Sequence, residues 1–89
     1  MLSKKDIYVF KATWCGPCKA YAPIVEEARN DLATHNAEVH LIDVDENQEL
    51  AEQYGVRGVP TTVIVKDGET LQTLVGRQTK EALLAAVLG

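Results

Sequence analysis

Cys15 and Cys18 are the residues of this chain best suited to chemistry, and they stand as Cys15-Gly16-Pro17-Cys18. Disulfide exchange needs an accessible thiolate to attack a disulfide and a second thiol to release the mixed disulfide that forms. A Cys-x-x-Cys pair at the start of a helix supplies both. Cys15 at the helix N-terminus would meet free N–H groups and the positive end of the helix dipole, which stabilise a thiolate. Cys18, a turn further in and less exposed, would resolve. Gly16 and Pro17 allow the tight turn without bulk over the sulfurs. A structural staple is the weaker alternative. A bond across so short a loop hardly restrains the unfolded chain. Secreted domains of this size that rely on disulfides usually carry about four cysteines or more.

Zinc competes for the same thiols. Cys15, Cys18, His35 and His40 make a C-x2-C-x16-H-x4-H pattern, near a zinc-finger spacing. If residues 18–34 are helical, His35 lies about 25 Å from Cys18 at ~1.5 Å per residue. One ion cannot bridge that. A zinc finger also places its cysteines on a hairpin and its histidines on one helix, which is not the order here. Redox chemistry is the better reading, well ahead of both zinc and inert buried thiols.

The elements that must position the pair follow from the apolar pattern. Residues 7–10, Ile-Tyr-Val-Phe, are apolar in succession, as in a strand covered on both faces. From Cys18 to about Thr34, Tyr21, Ile24 or Val25, Ala28 and Leu32 fall on one helical face. Pro17 suits the first helical turn, whereas Pro23 sits inside and should kink the helix. Residues 39–44 read as a second strand. Asp45 reads as the N-cap of a helix running to about Tyr54, stopped by Gly55. Residues 61–65 are a third strand, Asp67-Gly68 a hairpin turn, and residues 70–75 a fourth strand. Thr79 caps a last helix carrying Leu83, Leu84, Val87 and Leu88. The order is β-α-β-α-β-β-α, an α/β fold with a four-stranded mixed sheet, helices on both faces and a right-handed first crossover.

The bounds agree. The 89 residues suit a single domain over 1–89, with 46% apolar residues for its core. A net charge of −4 argues against nucleic acid as a partner. No apolar run is long enough to span a membrane. Residues 1–6 show no signal-peptide pattern, so a cytoplasmic monomer is expected.

Trp14-Cys15-Gly16-Pro17-Cys18-Lys19 resembles the active-site hexapeptide of the thioredoxin family. Residues 54–61, Tyr-Gly-Val-Arg-Gly-Val-Pro-Thr, are similar to its second signature. The resemblance covers nearly the whole chain. It implies a thioredoxin-like fold in a minimal, glutaredoxin-sized form. It implies a cis Pro60 facing the sulfurs, with Val59's backbone beside them, and a substrate groove of Gly58, Val59, Pro60 and Gly76. Trp14, Gly16 and Pro17 would form the active-site loop. Cys15 would be the nucleophile and Cys18 the resolving thiol of a protein-disulfide reductase. Protein disulfides would be the substrates and thioredoxin reductase the electron donor, with no metal or organic cofactor. The bland readings are an ordinary half-buried Trp14, a trans Pro60, a solvated Lys19, and Gly58 and Gly76 serving backbone fit alone. A glutathione-recharged, glutaredoxin-like protein is the second reading, opposed by Gly16-Pro17. A non-catalytic subunit binding through the Trp14/Pro60 groove is the third.

Three features depart from the family pattern. The family's first strand and helix have no counterpart before residue 6. A usual buried aspartate and its lysine partner correspond to Val9 and Leu41, and a usual aromatic to Lys11. Losing a buried carboxylate and gaining Lys11 should both favour the Cys15 thiolate, while resolution by Cys18 could slow.

Overall fold

The computed structural model describes residues 4–89. Residues 1–3, the start of the segment searched above for a signal peptide, lie outside them. The elements are β1 (Lys5–Lys11), α1 (Gly16–Ala33), β2 (Ala37–Asp43), α2 (Gln48–Gln53), β3 (Thr61–Lys66), β4 (Glu69–Val75) and α3 (Lys80–Leu88). This is the expected order. The sheet runs β2-β1-β3-β4. β1 is parallel to β2 and antiparallel to β3, and β3 is antiparallel to β4. Parallel neighbours need a long crossover, which α1 provides.

β1 is an inner strand, and alternate side chains serve two cores. Ile7 and Val9 pack with Tyr21, Val25, Ala28 and Leu32 of α1 and with Leu83 and Val87 of α3. Phe10 packs on the opposite face with Val63, Val65 and Ala51 of α2, and Tyr8 joins that cluster. Burial on both sides is why the run 7–10 is apolar throughout. Tyr21 and Thr62 are fully buried, and their hydroxyls bond at 2.9 Å, tying α1 to β3. Asp67 (φ 53°) and Gly68 (φ 77°) both take the left-handed conformation that a two-residue hairpin turn requires. Thr79 caps α3, its side chain accepting from the Ala82 N–H at 3.0 Å.

Two expectations need correction. Helix α1 starts at Gly16, not Cys18, and runs to Ala33 with Pro23 inside it. Cys15 is therefore its N-cap. Asp45 does not cap α2; Asn47 holds that position. Asp43 Oδ1 accepts from the Asp45 N–H at 2.9 Å, closing a tight turn ahead of the helix. The Asp45 carboxylate is used elsewhere, as described next.

Candidate active site at the start of the first helix

Cys15 and Cys18 form a disulfide, with their Cα atoms 5.3 Å apart. Cys15 has extended backbone (φ −89°, ψ 112°), as an N-cap does. Its Sγ accepts from the Cys18 N–H at 3.2 Å. The sulfur thus occupies the place of a capping oxygen, on a donor that the helix itself leaves unpaired. The Cys15 carbonyl begins the helix by accepting from the Lys19 N–H at 3.4 Å. Ala12 is buried with both cysteines, and Val44 and Val59 pack against the three.

The second signature meets the first here. Val59–Pro60 is a cis peptide. Val59 O lies 3.6 Å from Cys15 Sγ. In the disulfide that sulfur carries no proton, so this is a contact; in the reduced thiol, S–H can donate to the carbonyl. Gly76 (φ 85°) donates its N–H to Pro60 O at 2.9 Å, which sets the fourth strand's end beside the cis bond. Trp14, Val44, Val56, Arg57, Gly58 and Val59 line a hollow of about 150 Å³ next to the pair. Trp14 is not a half-buried aromatic: it is 68% exposed. Its Nε1–H donates to Asp45 Oδ2 at 2.9 Å. Asp45 and Arg57 are the rim residues that sequence reasoning missed. Asp45 had a local explanation as a cap, and Arg57 carried no signal beyond its place in the second signature.

Both cysteines of the oxidised pair are buried. Cys15 is 4% and Cys18 7% exposed as whole residues. The N-cap turn and Val59 cover Cys15. Cys18 lines an open hollow of about 340 Å³ together with Lys11, Lys19, Ala22, Glu26 and Leu41. Lys11, the cation expected to act on Cys15, lines that hollow together with Cys18. Val9 is buried, with Leu41 and Thr62 as its register partners on either side. Gly16 and Pro17 are exposed, and a Cβ at Gly16 would meet nothing within 4 Å. Below the pair, burial raises the Tyr21 phenol above its ordinary value, and the Thr62 hydroxyl partly opposes this.

The zinc-finger pattern does not assemble. His35 follows the last turn of α1, bonded to Asp31 O at 2.9 Å, while both cysteines sit at the helix start. The one convergence of metal-ligating groups among the described residues is Asp6, Glu38 and His40, which includes neither cysteine. Lys4 Nζ already sits there, 2.7 Å from Glu38.

The family model described as Thioredoxin matches residues 2–88. Thioredoxin of Bacillus subtilis (strain 168) is 50% identical over 74 residues, which are 83% of this chain and 70% of the relative. Thioredoxin of Mycobacterium bovis is 45% identical over 83 residues, covering 92% of this chain and 71% of the relative. Among solved structures, a mutant thioredoxin from Halobacterium salinarum NRC-1 superposes with a TM-score of 0.83 at 45% identity, covering 94% of this chain and 72% of that one. With the disulfide-forming pair at a helix N-terminus and the fold around it, these matches settle the assignment: the chain belongs to the thioredoxin family and carries that family's thiol–disulfide oxidoreductase activity in its Cys15–Cys18 pair.

Proposed function

We propose that the protein is a protein-disulfide reductase in which Cys15 attacks and Cys18 resolves. The supporting observation is the position of Cys15 as the cap of α1, with the Cys18 N–H on its sulfur at 3.2 Å. That donor and the helix dipole favour a thiolate at Cys15 over one at Cys18. The Cys15 thiolate attacks one sulfur of a substrate disulfide, forming a mixed disulfide and expelling the other sulfur as a thiolate. Cys18 then loses its proton and attacks Cys15 Sγ. The second substrate thiolate leaves, and the dithiol is left oxidised by the two electrons the substrate gained. Neither step calls for a metal or organic cofactor.

An extended substrate segment would lie along Trp14, Gly58, Val59, Pro60 and Gly76. The exposed indole and the hollow beside it offer apolar contact. The Val59 backbone next to the sulfur offers a place for main-chain pairing. Thioredoxin reductase is the proposed electron donor, and the reducing cytoplasm the proposed setting. No described helix is long and apolar enough to cross a membrane.

The test is turnover of a protein disulfide with thioredoxin reductase and NADPH. Cys15→Ser should abolish it, and Cys18→Ser should accumulate a mixed disulfide at Cys15. A couple near about −270 mV fits a reductase, whereas one near about −120 mV would make the protein an oxidant and end this reading. Full turnover in Cys18→Ser would end it too.

A further inference from the structure

Two hollows meet at Arg57 and Gly58, and Arg57 is the only charged residue lining either. One, of about 150 Å³, opens towards Trp14. The other, of about 270 Å³, lies between residues 55–58 and the end of β4, with Thr61, Thr73 and Val75 on its far wall. A second arginine stands close by. Arg77 follows Gly76, whose N–H is bonded to Pro60 O at 2.9 Å. Gln78 Nε2 donates to Val75 O at 3.3 Å and to Gly76 O at 3.2 Å, which holds the turn that carries Arg77. Of the chain's three arginines, Arg29 is paired with Glu26 at 3.1 Å. Arg57 and Arg77 are exposed, and among the described residues neither has an ion-pair partner. A chain of net charge −4 thus sets two unpaired guanidinium groups beside its cis peptide. The acid of the rim, Asp45, is at the Trp14 end and already accepts the indole N–H at 2.9 Å.

We propose that Arg57 and Arg77 select substrate segments that carry a carboxylate side chain two residues from the attacked cysteine. The inference rests on the reductase reading above and names the class of substrate that its groove prefers. The spacing follows from strand geometry. Val59 O lies 3.6 Å from Cys15 Sγ, so a segment paired with the Val59 backbone brings its cysteine to that point. In an extended segment the next side chain on the same face is two residues on, about 6–7 Å away. Arg57 precedes Val59 by the same two positions, so its guanidinium lies within reach of that side chain. The planar fork of an arginine matches a carboxylate in shape as well as in charge. The sign of the preference is the informative part. A net negative protein attracts basic partners through its overall field, and the two arginines oppose that field at the groove.

The experiment measures the second-order rate at which the reduced protein reduces short peptides joined as symmetric disulfides. The peptides differ only at the positions two residues to either side of the cysteine, which hold glutamate, glutamine or lysine. Each rate is divided by that of dithiothreitol with the same peptide, which cancels the intrinsic reactivity of the disulfide. Using the protein already reduced keeps its electron donor out of the measurement. Wild type should favour the glutamate peptide over the lysine peptide about fivefold, the scale of two exposed ion pairs. Arg57→Gln and Arg77→Gln should each lower that ratio to about twofold, and the double variant to about one. Arg57→Glu should invert it. In about 1 M salt, where the screening length is about 3 Å, the wild-type ratio should also approach one. Turnover of the glutamine peptide shows that a variant has folded, and either single variant can stand for the double. A ratio unchanged in the variants, or a wild type that favours the lysine peptide, overturns the proposal. A wild type that reduces none of the three peptides overturns instead the reading on which it rests.

Discussion

Removing one hydroxyl beneath the redox helix should cost more than removing two. Tyr21 and Thr62 are fully buried and bond to each other at 2.9 Å. Tyr21 lies on α1, which carries Cys18, and Thr62 follows Pro60 by two positions on β3. Tyr21→Phe leaves the Thr62 hydroxyl dry and unpaired, and Thr62→Val does the same to the phenol. Each single change should cost about 1–3 kcal/mol, the desolvation penalty of an orphaned group. The double variant leaves no polar atom behind. Its packing changes little, so its loss should be close to zero and well under the sum. Urea unfolding of the oxidised forms measures this, and for a domain this small about 1 kcal/mol also moves Tm by about 4–8 °C.

The same phenol supplies a pH arm. Burial holds its pKa above the ordinary 10.0. A raised folded-state pKa means that the neutral phenol's contribution is complete below the unfolded value of about 10 and is lost as pH rises through the folded value. Tyr21→Phe lacks that loss, so its deficit against wild type should narrow above pH ~10. Tyr8, whose phenol is also raised by burial, is common to all the variants and cancels. Strict additivity of the two single changes at neutral pH would refute the argument, because it would mean that the hydroxyls do not satisfy one another.

Two further outcomes follow from backbone geometry. Thr79→Ala removes the side chain that accepts the Ala82 N–H at 3.0 Å and should cost about 1 kcal/mol in urea unfolding, most of it restored by Thr79→Asn. Gly76→Ala and Gly58→Ala should separate cleanly. Neither added Cβ meets an atom within 4 Å, but Gly76 sits at φ 85° and Gly58 does not have a left-handed φ. The first should lose about 1–2 kcal/mol to strain alone, and the second should stay within about 0.5 kcal/mol of wild type.

What could be read from the sequence was what neighbours in the chain decide. The continuous apolar run 7–10, the helical face of Tyr21, Val25, Ala28 and Leu32, the Asp67-Gly68 turn and the Thr79 cap are all local signals, and all are present. The placement of Val59 beside Cys15 was legible only through family resemblance, since 44 positions separate them. Asp45 was misread because Asp43, Asp45 and Asn47 are all acceptable cap residues, and its bond to the distant Trp14 leaves no trace in the local sequence. The hollow beside Cys18 was invisible for a similar reason. It depends on the register that sets Val9 against Leu41 and on the side chain that Lys11 puts at the strand's end.

That register makes the two departures at Val9 and Leu41 a single one. They are direct partners across β1 and β2, so an acid and a base at these positions would be neighbours. Val9 is buried, and Val9→Asp would place a carboxylate among apolar side chains with no cation to meet it. Such an unpaired charge should cost about 3–5 kcal/mol at pH 7. Adding Leu41→Lys supplies the partner at a site open enough for the ammonium to reach water. The double variant should recover part of the loss and still fall about 1–4 kcal/mol short of wild type, because well-packed apolar pairs often outperform buried ionic ones. The pH dependence identifies the cause. The buried carboxyl would have a raised pKa, so its penalty is absent below the unfolded value of about 4 and grows as pH rises towards the folded value. Urea unfolding of both variants across that window tests it. A Val9→Asp deficit that does not change with pH would point to lost packing rather than charge. It would also remove the reason for regarding the apolar pair as a stabilising replacement for a charged one.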